Sequence, residues 1–214
     1  MSDLLLQRRV RLQQARLYGI LDLGYVAPAR LVPMAQAMIE GGCDVIQLRA
    51  KGKTEAEVLD LAHLLRPLFI VNDHPEAAKK ADADGVHIGQ DDGLVPGIRA
   101  RILPDQLVGK SSHSVPQAVA ASDEGADYIG VGPLYATPTK PDYVPVGLGL
   151  IKEIAARVSI PRFCIGGIKR ENLDEVLAAG ADRVVVVSGI LQAPDPAAYC
   201  RDLKSRVGMK GLLA

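Results

Sequence analysis

Eight short apolar runs alternate along the chain with segments whose apolar residues follow a helical period. The runs are continuous stretches of Val, Ile and Leu rather than alternating ones, which indicates strands buried on both faces of a parallel sheet. The predicted strands are residues 18–23, 44–48, 68–71, 85–88, 107–109, 128–131, 162–165 and 183–187. The clearest helical segments between them are residues 31–40, 55–65, 117–124 and 171–179.

This alternation over 214 residues predicts a (β/α)₈ barrel near the small end of that fold's size range. We expect a single domain, residues 1–214, with an N-terminal helical extension over residues 1–16. An open, doubly wound sheet with fewer strands is the alternative. The chain has no Trp, two Phe and six Tyr, so we expect an aliphatic core.

The charge balance and the cysteines exclude several classes of protein. Lys and Arg number 25, as do Asp and Glu, which argues against generic nucleic-acid binding because such binding needs an excess of cations. No run of 18 apolar residues predicts a membrane span, and the charged first 16 residues do not resemble a signal peptide. Three widely spaced cysteines fit neither a disulfide scaffold nor a zinc ribbon. We therefore expect a cytoplasmic protein.

An aspartate introduces every second predicted strand. Asp44, Asp84, Asp127 and Asp182 precede strands two, four, six and eight, and we expect them at the amino-terminal end of the barrel. Side chains three and five residues past each aspartate share one face, because strand side chains alternate. These are Gln47 and Arg49, His87 and Gly89, Gly130 and Gly132, and Val185 and Val187. We expect the pair Gly130 and Gly132 to leave space for a ligand.

Polar side chains follow the second strand, at the end where barrel enzymes place their active sites. Gln47, Arg49 and Lys51 alternate along the chain and so face one side. Two cations and an amide suit a polyanion such as diphosphate. The alternative is a cluster of surface ion pairs.

Carboxylates follow the third and fourth strands. Asp73 comes after strand three, and Asp91 and Asp92 come after strand four, so carboxylates from neighbouring strands can share one cation. Mg²⁺ takes one or two carboxylates and completes its shell with water and substrate phosphate. We predict a Mg²⁺ site at Asp73 and Asp92. Helix capping is the alternative, and we prefer it for Asp91 alone.

The segment after strand five, residues 110–114, places Ser next to His. We interpret it as polar lining rather than a hydrolytic triad, because no third group is placed to orient His113. Ser114 is expected to cap the next helix. His87 is interpreted as a structural histidine.

Two further segments suit phosphate. The long loop of residues 132–147 contains Thr137, Thr139 and Lys140, two hydroxyls and one ammonium. Glycine-containing turns at residues 165–168 and 187–190 follow strands seven and eight, where barrels commonly bind phosphate on backbone N–H groups. The mouth thus offers two anion sites, one with a metal and one without. Two phosphorylated substrates would fit, one of them with diphosphate as its leaving group.

Together these motifs resemble those of the thiamine-phosphate synthase (thiamine-phosphate pyrophosphorylase) family, in order, from about Leu17 to Arg206. The matching segments are Gln-Leu-Arg-Ala-Lys at 47–51, Asn-Asp at 72–73, Gly-Val-His-Ile-Gly-Gln-Asp-Asp at 85–92, Ser-Ser-His-Ser at 111–114, the run from Asp127 to Lys140, Ile-Gly-Gly-Ile at 165–168 and Val-Ser-Gly-Ile at 187–190. One departure is His74, where the family often has Arg.

The resemblance implies that a hydroxymethylpyrimidine diphosphate and a thiazole phosphate are joined to give thiamine phosphate and pyrophosphate. It assigns residues to each part of the site. Pyrimidine diphosphate would be held by Gln47, Arg49, Lys51, Asn72 and Lys140, with Ser111 on the diphosphate side; Mg²⁺ by Asp73 and Asp92; and thiazole phosphate by Thr137, Thr139, Gly167, Val187 and Ser188. Within these sets, Arg49, Lys51, Ser111 and Lys140 would be catalytic.

Three other functions stay open at this point. A thiazole tautomerase-like paralogue would share the barrel and the thiazole phosphate pocket, and residues 112–114 are compatible with it. A non-catalytic barrel that binds a thiamine precursor, or a sugar-phosphate isomerase, would fit the fold alone. No nucleic-acid or membrane partner is expected. Apolar residues within 1–12 could cover the barrel or contact a second copy of the chain.

Overall fold

A computed structural model describes residues 2–62, 68–137 and 144–210 of the chain. Eight parallel strands form one closed barrel in sequence order, and β8 pairs with β1. The strands are β1 (Leu17–Asp22), β2 (Val45–Arg49), β3 (Phe69–Asn72), β4 (Gly85–Ile88), β5 (Leu107–Ser112), β6 (Tyr128–Val131), β7 (Arg162–Cys164) and β8 (Val184–Val186). The predicted (β/α)₈ barrel is confirmed, and the open sheet is wrong.

Helices follow the strands around the outside of the barrel. They are α1 (Asp3–Gln14), α2 (Leu31–Glu40), α3 (Glu55–Ala62), α4 (Pro75–Lys80), α5 (Val95–Arg99), α6 (Val115–Asp123), α7 (Gly149–Ala155), α8 (Leu173–Ala178), α9 (Ser188–Leu191) and α10 (Pro196–Lys210). The predicted helix over residues 31–40 has the predicted bounds, whereas the end of the one over 55–65 lies outside the described residues. No described helix has the length and apolarity needed to cross a membrane.

Helix α1 closes the amino-terminal end of the barrel. Leu5 and Leu12 are buried in the same cluster as the side chains inside the barrel. Arg8 is also buried, and its guanidinium reaches Asp84 at 2.7 Å and Asp105 at 3.1 Å. The predicted N-terminal helical extension is therefore part of the closed fold.

The repeated aspartates lie at this same end, as predicted. Three of them accept a backbone N–H from the beginning of the preceding strand. Leu17 N donates to Asp44 at 2.9 Å, Phe69 N to Asp84 at 2.9 Å, and Val108 N to Asp127 at 2.8 Å. Asp182 instead contacts the guanidinium of Arg183. The carboxylates thus fix the starts of β1, β3 and β5.

The core has two layers of different character. The layer between strands and helices is mostly aliphatic. Inside the barrel, however, Phe163 packs edge-on against Tyr18 and Tyr128, with ring centroids 5.4 and 5.6 Å apart. The expected aliphatic core is therefore confirmed for most side chains, and the aromatic ones are concentrated in the barrel interior. These three large rings come from strands β1, β6 and β7 and pack among aliphatic side chains, and only side chains from alternating positions can enter this interior.

Candidate functional site

A large cavity opens at the carboxyl ends of the strands, above the aromatic layer. It encloses about 910 Å³, including the part that is open to solvent. Eight of the predicted site residues line it: Gln47, Arg49, Asn72, Ser111, Thr137, Gly167, Val187 and Ser188. The predicted residues Thr139 and Lys140 lie outside the described part of the chain. Lys51, Asp73 and Asp92 lie beside the cavity rather than in its lining.

The positions three and five residues past each repeated aspartate were predicted to share one face, and most of them line this cavity. Seven of the eight predicted positions line it, and Gly89 does not. At Gly130 the nearest atom to an added methyl group would be a ring carbon of His87, at an ordinary contact distance of 3.5 Å, so this glycine leaves space. At Gly132 it would lie 2.1 Å from the carbonyl oxygen of Ile165. The expectation of empty space is therefore wrong for Gly132, where two backbone segments meet.

Strand β2 supplies an amide and a guanidinium, and both are held by neighbours on β1. The amide of Gln47 is buried and donates to the hydroxyl of Tyr18 at 3.0 Å. The Nη1 atom of Arg49 lies 2.5 Å from Oδ2 of Asp22. Asp22 was not among the predicted site residues, although the period-two pattern of β1 places it on the face of Tyr18 and Ile20.

Asp73 and Asp92 meet as predicted. Burial and the negative charge of the neighbouring Asp92 raise the pKa of Asp73, so the two carboxyl groups lie close enough to interact. The Nζ atom of Lys51 lies 3.9 Å from Asp73 Oδ2, and this lysine side chain is 63% exposed. Lys51, the predicted cation that follows β2, therefore lies next to the predicted acidic pair.

Helix capping does not explain these two carboxylates. The N-cap of α4 is His74 and that of α5 is Leu94, and neither makes a side-chain capping hydrogen bond. Asp92 accepts the N–H of Gly89 at 2.7 Å, within its own loop. Asp73 has a left-handed backbone with φ of 62°, which is costly for a residue other than glycine and occurs at functional sites.

The acidic pair consists of two carboxylates, and among the described residues no group of three or more His, Cys, Asp or Glu side chains could hold a metal ion. A cation here would take its other ligands from water or from a substrate. Mg²⁺ accepts such an incomplete protein shell, whereas structural Zn²⁺ does not. The donor set therefore fits Mg²⁺ together with a phosphate-bearing ligand.

A chain of hydrogen-bonded side chains crosses the cavity floor, and sequence reasoning missed most of it. The hydroxyls of Tyr18 and Tyr128 are 3.1 Å apart, and Tyr128 lies 3.3 Å from His87 Nδ1. The other ring nitrogen of His87 lies 3.0 Å from Ser111 Oγ. Burial raises the pKa values of both tyrosines, so both hydroxyls are neutral. The two tyrosines therefore offer hydrogen bonds without net charge.

Residues 111 and 112 belong to β5, which is three residues longer than predicted, so these serines lie in a strand and not after it. Ser112 donates to the carbonyl of Gly130 at 2.8 Å, and the ring of His113 contacts the carbonyl of Gly132. Both line the cavity, as polar lining was expected to do. Ser114 caps α6, as predicted.

The loops after β6 and β7 form the opposite wall. The N–H groups of Leu134 and Tyr135 donate to the carbonyls of Ile165 and Gly166 at 2.9 and 3.1 Å. At Gly167, which has a φ of 67°, an added methyl group would lie 2.7 Å from Tyr135 Cβ. Thr137 follows directly and lines the cavity. The glycine turn after β7 thus packs against the loop that carries Thr137. The sequence alone did not show this packing role.

Comparisons with known proteins agree with this architecture. The profile of the family described as thiamine monophosphate synthase matches residues 17–190. A thiamine-phosphate synthase of Shouchella clausii is 43% identical over 188 residues, covering 84% of this chain and 90% of that protein. One from Gloeobacter violaceus is 43% identical over 195 residues, covering 88% of this chain and 56% of that longer protein.

A solved structure shows the same fold. The thiamine phosphate pyrophosphorylase of Pyrococcus furiosus superimposes with a TM-score of 0.84 at 32% sequence identity. The match covers 94% of this chain and 98% of that one. The match to the family profile runs from the first barrel strand into α9, and so includes every described wall of the cavity. This chain belongs to the thiamine monophosphate synthase family.

Proposed function

We propose that this protein joins 4-amino-2-methyl-5-hydroxymethylpyrimidine diphosphate to hydroxyethylthiazole phosphate, giving thiamine phosphate and pyrophosphate. The observation that carries the proposal is the family match over residues 17–190. The cavity supports it. The wall at the ends of β2 to β4 carries both cations and carboxylates, and it faces a wall of glycine turns and hydroxyls after β6 to β8. Such an arrangement suits two phosphorylated substrates of different charge.

The pyrimidine diphosphate would lie toward β2. Arg49 and Lys51 supply positive charge there, and Gln47 and Asn72 supply amide groups. Ser111, hydrogen-bonded to His87, would contact the diphosphate side. Lys140 would add a further cation from the loop after β6. These roles rest on the resemblance of the motifs and on the positions of the described residues around the cavity.

The thiazole phosphate would lie against the opposite wall. Thr137, Gly167, Val187 and Ser188 line that part of the cavity, and Thr139 follows in the same loop. Small residues and hydroxyls leave room for a phosphate group and offer donors to its oxygens. This separation of the two anionic groups would place the reacting carbon and nitrogen between them, above the cavity floor.

Asp73 and Asp92 would hold Mg²⁺. Burial, and after it the negative charge of Asp92, raises the pKa of Asp73, so the two charged carboxylates would be unfavourable together without a cation. With Mg²⁺ held there, the two carboxylates would bring positive charge to the departing diphosphate. The side chains of Lys51 and Arg49 add fixed positive charge on the same side of the cavity.

The reaction needs no side-chain nucleophile. The bond between the pyrimidine methylene carbon and the diphosphate oxygen breaks, and its electron pair leaves with the diphosphate. The pyrimidine amino group stabilises the resulting carbocation, and the thiazole nitrogen donates the pair that forms the new C–N bond. The protein's task is to orient both substrates and to stabilise the negative charge that develops on the leaving group.

The decisive experiment mixes the purified protein with both substrates and Mg²⁺. We expect thiamine phosphate and pyrophosphate in equal amounts. Isomerisation of a thiazole carboxylate phosphate without pyrophosphate release would identify a tautomerase-like paralogue instead. Tight binding of either substrate with no turnover would identify a non-catalytic binding barrel.

We also propose that the protein works in the cytoplasm. Cys43, Cys164 and Cys200 are buried free thiols, as expected in a reducing compartment. Association with a second copy remains a prediction, since α1 covers the barrel end with one face and exposes Leu4 and Leu6 on another. Gel filtration with light scattering would measure the mass in solution.

A further inference from the structure

The carboxylate of Asp22 holds the guanidinium of Arg49 at the edge of the cavity. Asp22 ends β1, Arg49 ends β2, and the two residues are paired in the sheet register. Asp22 Oδ2 lies 2.5 Å from Arg49 Nη1, and its other oxygen accepts the N–H of Gly24 at 2.9 Å. The carboxylate is therefore fixed at both oxygens.

Both side chains are largely removed from water. The side chain of Asp22 is 5% exposed and that of Arg49 is 13% exposed. Burying an ion pair costs desolvation energy, and replacing such a pair by apolar residues is often neutral or stabilising. Stability alone is therefore a weak reason for this pair, and its location at the mouth points to a functional one.

We propose that Asp22 is a positioning residue that sets the orientation in which Arg49 meets the leaving diphosphate. The inference rests on the proposed function. A guanidinium is a planar fork whose donors recognise phosphate oxygens only in a limited range of orientations. Asp22, which is itself held by the loop after β1, fixes the plane of the guanidinium before the substrate binds. Less conformational entropy is then lost on reaching the transition state.

The negative charge of Asp22 has a second effect of opposite sign. It repels the diphosphate in the ground state and in the transition state alike, so it weakens binding uniformly. Orientation of Arg49, by contrast, matters most when charge develops on the departing oxygen. Removing the carboxylate should therefore lower kcat without raising KM for the pyrimidine diphosphate.

The test compares wild type with Asp22→Asn, alone and combined with Arg49→Lys. We expect Asp22→Asn to lower kcat about tenfold, which corresponds to about 1.4 kcal/mol, with KM unchanged or lower. In the Arg49→Lys background the same change should alter kcat less than about twofold, because lysine has no planar fork to orient. Additive losses, an unchanged kcat or a raised KM would overturn the proposal.

A matched control removes a carboxylate from an exposed arginine pair. Asp174 lies 2.8 Å from Arg206 on the outside of the barrel, and Asp174→Asn should leave kcat and KM as in wild type. If Asp22→Asn does not fold, Asp22→Glu takes its place, since it keeps the charge and shifts it by one methylene. It should show a smaller loss of kcat with the same dependence on Arg49.

A spectroscopic measurement keeps this proposal separate from the proposed function. In a ¹⁵N–¹H spectrum, the side-chain Nε–H signal that Arg49→Lys removes belongs to Arg49. We expect that signal to be sharp in wild type and broadened or shifted in Asp22→Asn. An unchanged signal would refute the positioning role even in an active enzyme. Absence of turnover in wild type would refute the proposed function but leave this measurement valid.

Discussion

The carboxylate of Asp73 lies against that of Asp92, and the pKa of Asp73 is raised first by burial and then by this negative neighbour. Lys51, 3.9 Å away and largely exposed, offsets the repulsion only in part. A raised carboxyl pKa means that the folded state favours the protonated form more than the unfolded state does. The pair is therefore a source of instability at neutral pH that a divalent cation would relieve.

Asp73→Asn should raise the melting temperature of the metal-free protein at neutral pH and lower kcat about 10²–10³-fold. Below the unfolded pKa of 3.8, Asp73 is protonated and does not reduce the stability of the folded wild type. As the pH rises through the raised folded pKa, the carboxyl becomes charged and the folded protein loses that stability. The melting difference between variant and wild type should therefore grow with pH over that window and shrink when Mg²⁺ is added.

Thermal melts in a chelator and in Mg²⁺, at several pH values, measure this. Asp91→Asn, at the exposed neighbouring residue, should not change the melts. Equal melting of wild type and Asp73→Asn in the chelator would show that the two carboxylates do not repel each other.

Gly130 and Gly132 should respond differently to the same added methyl group. Gly130→Ala meets His87 at an ordinary contact distance of 3.5 Å, so we expect a folded protein with a normal melting temperature and a raised KM. Gly132→Ala would place its methyl group 2.1 Å from a backbone oxygen, so the backbone must shift and the melting temperature must fall. Melting curves and kinetics of the two variants test this; equal melting would argue against the close approach at Gly132.

Tyr135 anchors the loop that carries Thr137. Its hydroxyl donates to Glu175 on α8 at 2.8 Å, and burial together with this acceptor raises its pKa to about 12. Tyr135→Phe should raise KM for the thiazole phosphate about 2–10-fold, the value of one hydrogen bond. KM for the pyrimidine diphosphate should not change. A similar rise for both substrates would mean that the loop serves the whole cavity.

Arg8→Ala should destabilise the barrel without touching its chemistry. Arg8 is buried between Asp84 and Asp105, far from the cavity. We expect a loss of about 3 kcal/mol, at the low end for breaking a buried pair because both carboxylates retain some solvent contact. Urea unfolding measures the loss, and kcat below the transition should match wild type. Lys80→Ala, which breaks an exposed pair with Glu55, should leave the urea midpoint unchanged.

The sequence predicted the strands well because each is a continuous apolar run buried on both faces. The exception is β5, whose last three residues, Lys110, Ser111 and Ser112, are polar. The apolar pattern therefore ended three residues before the strand does. Lys110 is nevertheless buried, because it pairs with Glu124 at 3.0 Å. A polar residue with a partner distant in sequence cannot be recognised from a hydrophobic pattern.

The site was predictable where it depends on one strand or on adjacent strand ends. The face shared by Gln47 and Arg49 followed from the period of two, and the meeting of Asp73 and Asp92 from the parallel order. The link from Tyr18 through Tyr128 to His87 was not predictable, because it joins β1, β6 and β4 across the interior. Which ring touches which depends on the width and tilt of the closed barrel.

The carboxylates at the starts of the even strands have a consequence for how this protein can change. Asp44, Asp84 and Asp127 tie neighbouring strands together on the face opposite the reaction, through backbone N–H groups that every non-proline residue provides. Three pairs of neighbouring strands are thus held together by contacts that no substrate ever meets. Residues around the opening can be exchanged for others, and a new specificity selected, while these three contacts at the opposite end are left untouched.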